Sequence, residues 1–126
     1  MNTYVIIAES ILILVPLGML ILEGFLSFNN IKGDTISAIL NGWASGKNFF
    51  ILLAWGILTG HFFLGSKAPL IKDNTMSVVI VALLTVTAAL IGCSMKWTKT
   101  SRLFQLAILI VGIIIGHLTW SMNDFN

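Results

Sequence analysis

Four ionisable side chains stand inside long apolar runs of this chain: Glu9, Glu23, His61 and His117. Such groups are costly in hydrocarbon and as a rule face protein or water, so any chemistry starts with them. Imidazole changes charge close to neutral pH, and its unprotonated nitrogen ligates metals. His61, His117 and Glu9 could together bind a divalent cation, relay protons or form a pH-sensitive constriction. Two imidazoles at matching depth could also supply both axial ligands of a b-type haem. Against that, the side of the membrane nearest the histidines offers only Lys67 and Lys72 to meet propionates. Haem b and a divalent metal held through His61 and His117 therefore stand behind the expectation of no cofactor. The structural alternative for each group is a satisfied polar contact. Membrane histidines hydrogen-bond across helices for about 1 kcal/mol, and Glu9 and Glu23 can turn toward the surface or stay protonated.

The elements that must position these groups follow from composition. The 126 residues are 57% hydrophobic and 10% charged, whereas a soluble domain carries roughly a quarter charged residues. This is an integral membrane composition, and the length leaves no room for a separate soluble enzyme domain. Net charge of +2 is far from the dense basic surface that nucleic-acid binding needs. Cys93 is the single cysteine, which excludes an intrachain disulfide and a cysteine-rich metal site. No HExxH, P-loop, nucleotide fingerprint or hydrolase triad is present, so no catalytic residue is assigned.

The charges act as punctuation. Lys32, Asp34 and Lys47 bound one polar stretch, Lys67, Lys72 and Asp73 a second, Lys96, Lys99 and Arg102 a third, and Asp124 marks the tail. Between them run Tyr4 to Phe28, Asn48 to Gly65, Asn74 to Met95 and Leu103 to Met122. Backbone groups in lipid must be paired internally, so each run is expected to be a transmembrane helix of about 20 residues. The fold class expected is an all-α, four-transmembrane-helix bundle in one membrane domain. The N-terminal run lacks a basic n-region and a small-residue cleavage site, and reads as a retained span. Lys32, Lys47, Lys96, Lys99 and Arg102 fall on one side of such a bundle, and Lys67 and Lys72 on the other. The positive-inside rule then places both termini outside and the Lys96/Lys99/Arg102 cluster at the cytoplasmic face, as a topology signal or anionic-lipid contact. A bacterial cytoplasmic membrane or its equivalent is the expected location. In the first loop, Ile36, Ile39, Leu40 and Trp43 share one helical face behind Asp34, which predicts a short interfacial helix over 35–43 with Asp34 as its N-cap.

The second and fourth spans repeat each other. Leu53–His61 (LAWGILTGH) aligns without a gap on Leu109–His117 (LIVGIIIGH), identical at Leu53, Gly56, Ile57, Gly60 and His61. The shared GxxxGH points to a duplicated helical hairpin with a pseudo-twofold axis along the membrane normal. GxxxG lets membrane helices approach closely. Gly56, Gly60, Gly112 and Gly116 are accordingly assigned to helix packing, together with a small face of Thr85, Ala88, Ala89 and Gly92 in the third span. At about 100° per residue each histidine projects some 120° from its own glycine pair, so glycines and histidines are expected to serve different neighbours. Pro16 and Gly18 could loosen the first span between the two glutamates.

The function expected first is an oligomeric membrane protein that conducts or gates protons or cations, with Glu9, His61, His117 and Glu23 as ion-path or metal candidates. A non-catalytic membrane assembly subunit, including a phage-type membrane-perturbing protein, is the second. A b-type haem redox subunit is the third. The partners implied are the bilayer and either further copies of the chain or a larger membrane complex.

Overall fold

A computed structural model describes residues 2–66 and 68–121. Lys67, Met122 at the end of the fourth expected span, and Asp124 lie outside the described residues. All regular structure among those residues is helical: α1 (Thr3–Ser27), α2 (Ile36–Ala44), α3 (Phe49–Phe63), α4 (Asn74–Ser94) and α5 (Arg102–Thr119). Three of these helices, α1, α4 and α5, are long and apolar enough to cross a membrane. The second expected span, 48–65, contains a helix of only 15 residues. Apolar composition continues past its end, but Leu64 has already left helical geometry, with φ −118° and ψ 82°.

The chain forms two compact units, Met1–Asn41 and Gly42–Asn126. In the first, α1 starts where the Asn2 side chain accepts from the Tyr4 amide at 3.1 Å. Two of its hydroxyls are bonded to their own helix, Ser10 Oγ donating to the Ile6 carbonyl and Ser27 Oγ to that of Glu23. Such back-bonding satisfies a polar group where no water is available. No residue of α1 is buried. Gly33, at φ +84°, turns the chain toward α2 in a conformation that L side chains rarely adopt.

The N-cap of α2 is Thr35 rather than Asp34. Thr35 Oγ1 accepts from the Ala38 amide at 3.2 Å, and its carbonyl accepts from Ile39 at 3.0 Å. Asp34 instead accepts from Asn29 Nδ2 at 2.6 Å, which closes the loop. The two neighbours are both cap-forming types, and the Asn29 partner draws Asp34 away from the helix.

In the second unit α3 lies along α5, and α4 packs chiefly on α3. The N-caps are Asp73, accepting from Thr75 at 3.0 Å, and Ser101, accepting from Phe104 at 3.2 Å. Leu53, Ile57, Phe49 and Ala88 form the buried core, with Ile57 only 1% exposed. Gly92 of α4 is also buried, and its missing side chain is replaced by the carbonyl of Lys47. Trp97 closes this end by donating Nε1–H to the Gly92 carbonyl at 2.9 Å and packing against Phe49 and Phe104.

The α3–α5 contact is made by backbone. A Cβ on Gly56 would stand 2.5 Å from the Leu109 carbonyl oxygen and 2.9 Å from the Gly112 Cα. One on Gly112 would stand 2.5 Å from the Leu53 oxygen and 3.0 Å from the Gly56 Cα. One turn on, Gly60 faces Ile113 and the His117 amide, while Gly116 faces Ile57 and the His61 amide. The register makes the helices parallel, and each contact maps onto its counterpart when the two repeats are exchanged.

Gly60→Ala or Gly116→Ala therefore forces the helices apart, at a cost of about 1–3 kcal/mol as for other overpacked sites. Gly24→Ala on α1, where no atom lies within 4 Å of the new methyl, is expected to be neutral or stabilising by up to about 1 kcal/mol, from helix propensity. Thermal unfolding in detergent, followed by circular dichroism, distinguishes the two outcomes. Equal stability of all three variants would contradict the backbone contact.

Candidate functional site

Both histidines lie in the last turn of their helices, one residue beyond the second glycine. The last carbonyls of any helix lack an intrahelical partner, and in an apolar surrounding such a group is costly to leave unpaired. Each histidine meets this need for the other helix. His117 Nδ1 is 2.7 Å from the carbonyl oxygen of Leu64, the C-cap of α3. His61 Nδ1 is 2.5 Å from the carbonyl oxygen of Trp120, the C-cap of α5. Leu64 and Trp120 are equivalent positions of the two repeats. Their own amides also bond alike, to Gly60 and to Gly116. The pseudo-twofold relation seen at the glycines thus extends to the helix ends and produces a reciprocal clasp.

A carbonyl oxygen only accepts, so each Nδ1 carries the proton and donates it. In the neutral ring Nε2 is then left with its lone pair. Hydrogen bonding of one ring nitrogen to a backbone carbonyl is also what orients imidazoles that ligate metals. The clasp therefore holds both rings in place while leaving one nitrogen of each available. The copies differ in one respect: the His61 ring stacks on Trp120 at 3.8 Å between centroids and 11° between planes. His117 has the aliphatic Leu64 at the corresponding place. Around the clasp, Ser121 Oγ accepts from the Ser66 amide at 2.6 Å, and Leu118 O accepts from the Leu70 amide at 3.0 Å. These bonds tie the segment after α3 to the end of α5.

The glycines and histidines of one helix thus serve the same neighbour, contrary to the expectation from the helical wheel. The wheel places side chains by angle on a straight cylinder. It takes no account of an imidazole reaching along the neighbour to a C-cap carbonyl that has left helical geometry. With Gly60 and Gly116 in backbone contact beside the histidines, no gap separates α3 from α5 for a porphyrin plane. A haem ligated by both rings within this pair does not fit.

Glu23 accepts from the Ser37 amide at 3.3 Å and from the Ser37 hydroxyl, so its carboxylate holds the first turn of α2 to α1. Glu9 is exposed on α1, in the unit that does not contain the histidines. Among the described residues no group of three or more His, Cys, Asp or Glu side chains could hold a metal ion. Lys96, Lys99 and Arg102 are exposed in and beside the loop between α4 and α5. The Thr100 amide pins that loop by donating to the Ser45 carbonyl at 3.0 Å. The carbonyls of Leu64 and Trp120 went unnoticed in the sequence, because a backbone acceptor leaves no residue signature. Extending the repeat three residues past His61 and His117 is the one signal that could have found them.

Asparagine carries an amide nitrogen close to where histidine has Nδ1, whereas alanine carries no donor. His117→Ala is expected to lower stability by about 1–3 kcal/mol, the cost of an unsatisfied carbonyl, and His117→Asn to recover most of it. His61→Ala loses the stack on Trp120 as well, about 0.5–1.5 kcal/mol more. Melting temperatures in one detergent test this order, and indistinguishable Ala and Asn variants would remove the cap.

Comparison with protein-family models, with curated proteins and with solved structures returned no significant match, so the functional reading rests on these side chains and carbonyls alone.

Proposed function

We propose that this chain is a non-catalytic membrane assembly subunit, built as a four-span bundle in which α3 is the fourth crossing helix. The observation that carries the reading is the clasp. Gly56, Gly60, Gly112 and Gly116 and the Nδ1 atoms of His61 and His117 are all engaged in joining α3 to α5, and the line between the helices is filled with backbone. One ring nitrogen of each histidine is thereby used for construction. The outer faces are broad and apolar: no residue of α1 is buried, and Leu83, Leu84, Val86 and Leu90 of α4 are exposed. Lipid, further copies of the chain or a larger complex covers such faces. Both termini outside, with Lys96, Lys99 and Arg102 at the cytoplasmic face, agrees with the distribution of positive charge.

A second reading has an observation of its own in the two Nε2 atoms, for which the described residues supply no hydrogen-bond partner. Proton or cation conduction along the outer faces of the clasp would use them. Liposomes containing the purified protein distinguish the readings. The assembly reading expects proton flux at the level of protein-free vesicles, unchanged in the His61→Asn/His117→Asn variant, which keeps the caps but removes Nε2. It also expects cross-linking in the native membrane to yield a discrete complex. Flux at least about tenfold above background, abolished in that variant, would overturn assembly in favour of conduction.

A further inference from the structure

Four cations meet at one end of the second unit, and tertiary contacts bring the most distant of them in. Lys96 and Lys99 lie in the loop between α4 and α5, and Arg102 is the first residue of α5. Lys47 arrives from the stretch before α3: its carbonyl fills the place of the side chain that Gly92 lacks, near the end of α4. The loop is pinned twice. Trp97 donates Nε1–H to the Gly92 carbonyl at 2.9 Å, and the Thr100 amide donates to the Ser45 carbonyl at 3.0 Å. Lys96 and Lys99 each adjoin a pinned residue, so the Cα of each sits about 3.8 Å from a fixed one. All four cationic side chains are exposed.

Among the described residues of this unit no carboxylate lies beside them. Asp73 is the only one between residues 42 and 121, and it caps the far end of α4, about 30 Å away. In the first unit the carboxylates of Glu23 and Asp34 are occupied with Ser37 and Asn29. Like charges held close repel, and a surface of opposite sign relieves the repulsion. A topology signal depends on the number of cations and needs no pinned loop. Two features favour a lipid over a soluble anion. The loop joins α4 to α5, both long and apolar enough to cross a membrane, which puts it at headgroup level whether or not α3 crosses. Next to the cations Ile91, Met95, Leu103 and Leu106 are exposed, so an apolar strip adjoins the charges as acyl chains adjoin a phosphate.

We infer that Lys47, Lys96, Lys99 and Arg102 form a preformed surface for the phosphate headgroups of anionic phospholipid. It goes beyond the assembly reading and does not depend on it. The pinned loop holds the charges in place, and the forked guanidinium of Arg102 suits phosphate oxygens.

The intact protein, purified in detergent, is titrated with dioleoylphosphatidylglycerol or dioleoylphosphatidylcholine, and bound lipid is counted by native mass spectrometry. Each cation near an anionic headgroup contributes about fivefold, so tighter binding of phosphatidylglycerol by about tenfold or more is expected. Lys47→Gln lowers that affinity by about twofold to fivefold. Neutralising all four cations to glutamine brings it to the level of phosphatidylcholine, whereas Lys72→Gln, at the opposite end of α4, leaves it unchanged. Thr100→Pro keeps every charge but removes the amide that pins the loop, and weakens binding by about twofold or more. Circular dichroism checks that each variant folds, and if the fourfold variant does not, the single exposed substitutions decide. Equal binding of the two lipids, or a Lys47→Gln variant that binds like the parent, overturns the surface. Undiminished binding by Thr100→Pro overturns its being preformed. Displacement of the bound lipid by millimolar inorganic phosphate overturns lipid as the occupant.

Discussion

Backbone-to-backbone contact between α3 and α5 is the constraint on which the rest of the second unit depends. Two membrane helices gain little from the hydrophobic effect when they meet, because lipid tails are as apolar as leucine. For α3 and α5 side by side in the membrane, as proposed above, association has to come from close dispersion contact and from polar groups that lipid cannot satisfy. Gly56 against Gly112 supplies the first, since no side chain holds the helices apart and each glycine faces a carbonyl oxygen of the other helix. Contacts of Cα–H with carbonyl oxygen recur at such interfaces and add a small favourable term. The histidines supply the second, and they can reach their acceptors only because the glycines have brought the helix ends together.

The clasp also explains how a helix as short as α3 can end where it does. Its final carbonyls would remain orphaned if the chain simply stopped being helical in an apolar surrounding. His117 takes the carbonyl of Leu64, and His61 does the same for Trp120. Elsewhere the same accounting holds at a smaller scale. Thr59, Thr85, Thr87, Ser94 and Thr119 all return their hydroxyls to the carbonyl four residues back. These hydroxyls are thus turned onto their own backbone, while the histidines join one helix to the other.

How much of this was legible in the sequence depends on the kind of signal. Three helices of membrane-spanning length were, since scarce charges and long apolar runs leave few alternatives, whereas the second expected span holds a helix of only 15 residues. The short helix in the first loop showed in the spacing of Ile36, Ile39, Leu40 and Trp43. Helix ends were less so: composition stays apolar from Phe63 to Gly65 although the backbone turns at Leu64. Asp34 and Thr35 are equally good cap residues, and only the position of Asn29 separates them. Spacing identified the glycine faces and the paired histidines as groups. It could not say that a histidine side chain reaches the helix its own glycines touch, nor that its acceptor would be a carbonyl. Periodicity reports direction around an axis, while the clasp depends on reach along it.

Carrying both GxxxGH helices in one chain has a further physical consequence. Two separate copies of a GxxxGH helix would pair only on meeting in the membrane, whereas here the second copy is tethered to the first and faces it at high effective concentration. Pairing then no longer requires the copies to be identical, provided the glycines and the clasp remain. The two repeats differ elsewhere: Trp55 stands where the other repeat has Val111, and Trp120 where it has Leu64. Only His61 has an aromatic ring to stack on. A symmetric joint thus carries two different outer faces, and different faces can meet different neighbours. The assembly role proposed above would call for such a combination, a joint that stays closed and surfaces that are free to specialise.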